Sequence, residues 1–438
     1  MGGTGLISRL DIAAGTITVR PEDTFRRSFL RDDFVVTYPP GDAVPVMTEG
    51  LALIPFLANV APIIWLAGLN VTVPTLDHSF AEALDDVRDV FASMYPDLDW
   101  GGSIKADRLV ATEERDPAVG VLFSGGVDSV YSSLSISDAQ LLVTVRGSDI
   151  ALDNDPGWDA VRRQAAGFGK ARGHRNAFVL SNFRRFLDVP ALERRWPILD
   201  DWWAGAQHGL GLLGLLAPLV PTGRVVIAAT HTPDYHGKPS GSNPTLDTSV
   251  RWGGTTVEHY GFQTTRQDKV RAIVAAKGPP SRLRVCFSNA YGDGHNCEVC
   301  EKCLRTFAAL IVAGADPTDH GFTRSMASGT RIIRRRFATY RVAFGPNHTW
   351  HWTMIQEAAE KMASELSSSD TDAGRRALLD WLVAFDFARY ERRWQFFLRA
   401  RKRILRAVRR VSPVETAVRR GAAGLHRLQR RLTRSART

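Results

Sequence analysis

At 438 residues, with 44% hydrophobic and 23% charged positions, the chain is long enough for two or three domains and too apolar to be disordered. Its net charge of +10 is concentrated at one end: residues 391–438 hold 16 arginines or lysines against two glutamates, and the remainder is slightly acidic. A body that binds nucleic acid along its whole surface is thereby excluded, and the basic end needs its own explanation.

The start, Met1–Leu6, lacks the basic and apolar stretches of a secretory leader, so a cytoplasmic chain is expected. Residues 1–115 read as an accessory α+β region, with strands at Thr16–Val19 and Phe34–Tyr38. Leu51–Leu69 approaches the length of a membrane span, but Pro55, Asn59 and Pro62 interrupt it and strand-like residues 69–73 follow. A buried helix leading into a strand is expected there. Phe80–Met94 places Phe80, Leu84, Val87, Val90 and Phe91 on one helical face. No catalytic constellation is evident in this region.

Residues 117–312 alternate strand and helix. Strands are expected at Val119–Phe123, Leu141–Val145, Asn176–Leu180 and Arg224–Ala229, and helices at Asp128–Ile136, Trp158–Arg172 and Leu210–Leu219. This alternation predicts an α/β fold with a doubly wound parallel sheet, in which ligands sit beyond the carboxyl ends of the strands. Residues 313–438 read as helical, with amphipathic stretches at Trp350–Leu366 and Ala377–Phe387 and an arginine-rich tail.

Where the first of these strands meets its helix, the chain reads Ser124-Gly125-Gly126-Val127-Asp128-Ser129. A helix amino terminus offers unpaired N–H groups and a positive dipole end, which favours phosphate. Two glycines let an oxygen approach the main chain. Ser124 and Ser129 can donate hydroxyls, and Asp128 can hold Mg²⁺. The Walker A arrangement is absent. All four cysteines, Cys286, Cys297, Cys300 and Cys303, crowd into 18 residues. In a reducing compartment this spacing points to a metal site, and four thiolates suit a structural Zn²⁺; an iron–sulfur cluster is the alternative.

The loop resembles the PP-loop of the ATP pyrophosphatase superfamily. That resemblance implies an adenine nucleotide alpha hydrolase-like fold, binding of ATP, release of pyrophosphate, and adenylation of a substrate that a second nucleophile then attacks. Loop and cysteines together are similar to the 7-cyano-7-deazaguanine synthase family, over about 117–310. Asp234-Tyr235-His236-Gly237-Lys238-Pro239 and Thr264-Thr265-Arg266-Gln267-Asp268-Lys269-Val270 are compatible with two further stretches of that family. Ser240-Gly241-Ser242-Asn243-Pro244 departs from it, and the family lacks residues 1–115 and the tail. The implied function is an ATP-dependent ligase acting on a small-molecule or protein carboxylate, with ammonia or another amine as nucleophile. Ser124, Asp128 and Ser129 would be catalytic. Gly125, Gly126, Val127, Arg266, Lys269 and Asp234 would complete the nucleotide site.

Arg266 and Lys269 can neutralise pyrophosphate. His231 and His236 are further candidates for the substrate side. Asp149, Asp153 and Asp155 are candidates for adenosine contacts. In the tail, Arg392–Arg410 interleaves nine basic residues with Trp394, Phe396, Phe397 and Leu398, and Leu425–Leu432 continues the pattern. It can be a solvated helix, an anionic-membrane surface or a tRNA-binding element. Two other readings of the whole are a tRNA-modifying enzyme and a regulatory protein with an inactive loop. A homodimer is compatible with all of them.

Overall fold

Among the described residues, eleven strands organise the chain: β1 (Thr4–Gly5), β2 (Ile7–Ala13), β3 (Thr16–Pro21), β4 (Phe34–Thr37), β5 (Asn70–Asp77), β6 (Ser103–Val110), β7 (Val119–Leu122), β8 (Gln140–Arg146), β9 (Arg175–Ser181), β10 (Arg224–Ala228) and β11 (Thr256–Tyr260). The computed structural model describes residues 4–112, 118–199, 201–220, 223–286, 292–365 and 372–411, the side chains of Ile198 and of residues 401–411 excepted. β1, β5 and β6 form a small parallel sheet, and the other eight strands form one large mixed sheet in the order β11-β10-β7-β8-β9-β4-β3-β2.

Strands β7 to β11 are mutually parallel. Counted from β7, their spatial order is 3-2-1-4-5, the Rossmann-like pattern in which the winding reverses beside the first strand. The amino-terminal strands extend this sheet: β4 pairs antiparallel with β9 through Val36 opposite Ser181, and β3 and β2 follow.

Alternation along the strands separates two cores. Leu141 and Val143 of β8 face one side, and Leu142 faces the other. On the first side lies the helix Ile54–Leu66, all of whose residues are buried, together with the helix His208–Gly214. This placement accounts for the largely apolar Leu51–Leu69 stretch: it is an inner layer, split into Glu49–Ala52 and Ile54–Leu66. No helix among the described residues is long and apolar enough to cross a membrane. On the other side pack Val127–Ser135, Asp155–Arg172, Arg266–Ala275 and Glu301–Val312, followed by Met326–Ala338, Pro346–Glu365 and Ala373–Ala384.

The expected strands and helices around 119–229 recur within a few residues. Leu283–Cys286 has the composition of a strand but joins no sheet, because the Leu283 and Arg284 amides are taken by His320 O and Gly125 O. The helix expected at Leu210–Leu219 stops at Gly214, after a π-helical turn at Trp203–Gln207.

The wholly buried helix Ile54–Leu66 carries one amide side chain. Asn59 Nδ2 donates to Pro55 O at 2.8 Å, and Asn59 Oδ1 accepts from Gln207 Nε2 at 2.7 Å. Gln207 Nε2 also donates to Phe183 O at 2.7 Å. Asn59→Ala leaves part of this buried network unpaired and should lower stability by about 1–3 kcal/mol. Urea denaturation checks this: the midpoint falls with an unchanged slope, and an unmoved midpoint contradicts the network's importance.

Candidate functional site

The segment Ser124–Ser129 joins β7 to the helix Val127–Ser135 at the reversal between β7 and β10. Gly125 has φ +73°, a left-handed conformation that a glycine adopts without strain. Ser124 Oγ accepts from the Gly126 amide at 3.3 Å and lies 3.2 Å from Ser129 Oγ. Gly126 precedes the helix and supplies no side-chain cap, so no side chain competes for the amides of the first turn. Arg284 closes the back of the loop. Its guanidinium donates twice to Ser124 O, at 2.9 and 3.1 Å, and its amide donates to Gly125 O at 2.8 Å. With these carbonyls turned to Arg284, the loop keeps two hydroxyls and a helix amino terminus for an anion.

Asp128, in the first turn, is paired with Arg266 and lies 3.6 Å from Lys269 Nζ. Burial raises its pKa, but the charges of Arg266, Lys269 and Lys302 outweigh that and hold the carboxyl below its ordinary range. Lys269 is 1% exposed, donates to Ala229 O at 2.6 Å and is pushed down by burial. Arg305, also buried, is pushed to about 10 by burial against the attraction of Glu301. Arg266 Nη2 and Arg305 Nη1 are buried without a hydrogen bond. Positive charge therefore exceeds negative charge around Asp128, and the surplus suits a polyanion.

Beside this cluster a cavity of about 700 Å³ opens beyond the ends of β10 and β11. Its wall includes Met94, His208, His231, Tyr235, His259 and Asn347. Ala228 and Thr230 flank the carbonyl that Lys269 holds, so Lys269 connects the charged loop with the cavity floor. His231 stacks on Tyr235 at 3.8 Å and lies 3.0 Å from Asn347 Oδ1. Burial pushes His208 and His231 below the usual imidazole range.

The structure brings Ser124, Gly125, Gly126, Val127, Asp128, Ser129, Arg266 and Lys269 together. Asp149 approaches the same loop at second hand, 3.5 Å from Arg284. Asp155 and Asp153 instead pair with Arg146 at 2.5 Å and Arg185 at 3.9 Å. Asp234 accepts from Thr232 and from Trp350 Nε1 at 3.3 Å outside the cavity wall, and His236 is exposed. Arg284, Lys302, Arg305 and His259 were not singled out from sequence. Arg284 and Lys302 lie within two positions of a cysteine, a proximity that marks them only once the cysteine cluster is known to abut the loop.

The four cysteine sulfurs all lie within 4.8 Å of one another and can hold a metal ion. Cys286 and Cys300 are 4.0 Å apart, and Cys297 and Cys303 are 3.9 Å apart. Tetrahedral coordination with metal–sulfur bonds of about 2.3 Å sets sulfur separations of about 3.8 Å, so the arrangement is compatible with a single Zn²⁺. The turn is shaped by Glu298 at φ +56°, and the Cys300 amide donates to Cys297 Sγ at 3.3 Å. Mutual contacts among the thiols pull the Cys297 pKa down and push those of Cys300 and Cys303 up.

The arginine-rich helix Phe387–Val411 begins in the second core with Phe387 and Tyr390, and then exposes Phe396 and Phe397. Leu425–Leu432 lies outside the described residues. No protein-family model, curated protein or solved structure matches the chain.

Two outcomes are expected. Elemental analysis of the purified chain should find one metal ion per molecule, and a chelator should lower the melting temperature more readily as pH falls and thiolates protonate; retention of Tm after complete removal contradicts a structural ion. The depressed Asp128 carboxyl stabilises the fold fully above its unfolded pKa of about 3.9, and that contribution disappears as pH falls through the lower folded value. Asp128→Asn should therefore flatten the acid limb of the stability profile relative to the parent chain.

Proposed function

We propose that the protein is an ATP-dependent ligase of the PP-loop type, which splits ATP into AMP and pyrophosphate and activates a carboxylate or carbonyl substrate as an adenylate. The observation that carries this reading is the buried surplus of positive charge around Asp128, directly beneath an uncapped helix amino terminus bearing two serine hydroxyls. A terminal pyrophosphate is a group that would satisfy both at once.

In this reading Ser124, Ser129 and the first-turn amides receive phosphate oxygens, while Arg266 and Lys269 stabilise the charge that grows on departing pyrophosphate. Asp128 Oδ1 is buried without a hydrogen bond, and as a hard oxygen donor it fits Mg²⁺ arriving with the nucleotide. Mg²⁺, when bound, supplies charge neutralisation along the polyphosphate. The metal at the cysteines is Zn²⁺, closed and structural. Single-ion spacing favours it over an iron–sulfur cluster, where separate irons take separate thiolates.

The substrate occupies the cavity beyond β10 and β11, with Lys269 between it and the phosphates. Its mixed wall of imidazoles, hydroxyls and aromatics suits a small polar molecule or a chain end carrying a carboxylate, attacked in the second step by an amine. A tRNA-modifying reading of the same chemistry draws on one observation, the arginines beside exposed Phe396 and Phe397, which match a phosphate backbone with stacking surfaces.

The test follows α-labelled ATP with Mg²⁺ and a small-metabolite extract. AMP and pyrophosphate are expected, and Lys269→Met should reduce AMP release about 10²–10³-fold without loss of fold. Formation of ADP overturns the proposal. AMP release that requires added tRNA selects the second reading, and binding of ATP without any turnover selects an inactive, regulatory loop.

A further inference from the structure

The cavity wall holds an imidazole, His259, backed by a buried carboxylate that the phosphate chemistry does not use. Asp247 is fully buried, and its Oδ2 lies 2.7 Å from His259 Nδ1 and accepts from Ser242 Oγ at 2.7 Å. The carboxylate enters the wall because residue 209 is glycine: a Cβ there would meet Asp247 Oδ1 at 2.2 Å and Gly241 O at 2.7 Å. Asp247 belongs to the short helix Pro244–Ser249, and His259 lies on β11, so the pair joins two elements at the cavity's edge.

We propose that His259 is the proton acceptor of this cavity and that Asp247 is its positioning residue, an inference that rests on the adenylation reading above. A carboxylate against Nδ1 requires that nitrogen to carry the proton, and the neutral ring then presents the lone pair of Nε2. No hydrogen bond engages Nε2 among the described residues. The other two histidines of the wall are arranged differently: His231 engages Asn347 and lies flat on Tyr235, and His208 packs against Trp203. Of the three, His259 is the one with a carboxylate oxygen at hydrogen-bond distance from its ring, although the charge of Asp247 also reaches His208. In the second step an amine nitrogen attacks the acyl carbon of the adenylate. The nitrogen–carbon bond forms, the bond from that carbon to the AMP oxygen breaks with its electron pair leaving on AMP, and the amine's proton passes to Nε2 of His259.

Nitrogen NMR of the full chain labelled in histidine is the first measurement, with His259→Gln assigning the signal. A protonated Nδ1 and bare Nε2 at neutral pH are expected, and this signature should be lost in Asp247→Asn. A proton resident on Nε2 overturns the proposal. The second measurement is AMP release in the metabolite extract with ammonium as the amine. His259→Ala should be slowed about 10²–10⁴-fold. Hydroxylamine, which is unprotonated at neutral pH and becomes on attack a more acidic nitrogen whose proton water can accept, should restore most of the loss.

An undiminished ammonium rate in His259→Ala overturns the proposal. So does a loss that hydroxylamine fails to restore in a variant of unchanged melting temperature. If the parent chain itself makes no AMP, the adenylation reading fails, and the nitrogen signals alone decide whether the cavity contains this base.

Discussion

The buried pairing of Asp128 with Arg266 and Lys269 is the constraint around which the rest is arranged. It fixes the helix after β7 to the helix Arg266–Ala275, and Lys269 reaches on to the carbonyl after β10. Asp128 does not balance the cations near it by itself, because Lys302 and Arg305 approach from the helix Glu301–Val312 as well, and Asp149 offsets Lys302 and Arg284 only from the far side of the loop. Glu301 offsets Arg305 only in part. Surplus charge of one sign in a buried setting costs free energy unless solvent or a ligand compensates. The arrangement therefore favours an anion, which would find the hydroxyls and helix terminus of Ser124–Ser129 beside it.

The cysteine cluster makes that arrangement possible. Cys286 follows Arg284 by two positions, Cys300 and Cys303 flank Lys302, and Cys303 lies on the same helix as Arg305. The segment carrying Arg284 belongs to no sheet, and residues 297–300 form a turn with a left-handed residue in it. Neither stretch has ladder hydrogen bonds to hold it. A tetrahedral ion joining the four sulfurs would supply the missing rigidity and so set where three of the cations fall. Under the ligase reading, metal site and phosphate loop are in this sense one device, although no cysteine lies in the loop itself.

The parallel sheet and the loop were legible because their signals are local. An apolar run, Ser-Gly-Gly-Val-Asp-Ser and helical spacing each occupy a few adjacent residues, and the four cysteines advertise themselves by chemistry. β2 and β6 were missed because both mix charged with apolar residues along largely exposed strands, Ile-Ser-Arg-Leu-Asp-Ile-Ala and Ser-Ile-Lys-Ala-Asp-Arg-Leu-Val. β11 was missed because Thr-Val-Glu-His-Tyr is short and lies at the sheet edge. Leu283–Cys286 has strand composition, yet its partners are a loop and a turn, which composition cannot register. The same limit hid Arg284 and the Asp247–His259 pair: each is defined by a partner distant in sequence or on another element. Asp234 shows the converse, since its motif context singled it out while its contacts with Thr232 and Trp350 hold it outside the cavity wall.

The amino-terminal region bears on the site in a way its lack of motifs does not suggest. Its strands continue the central sheet through β4 and β9, and its helix His78–Met94 contributes Asp89, Val90, Ser93 and Met94 to the cavity wall. The charged side of the site is made from residues 124–305, while the opposite wall of the cavity is partly amino-terminal. A chain with the same loop and cysteines but a different amino-terminal region would keep the charge cluster and present a different cavity. Under the ligase reading, ATP recognition and substrate choice therefore reside in different stretches of sequence, and Lys269 is the residue that touches both.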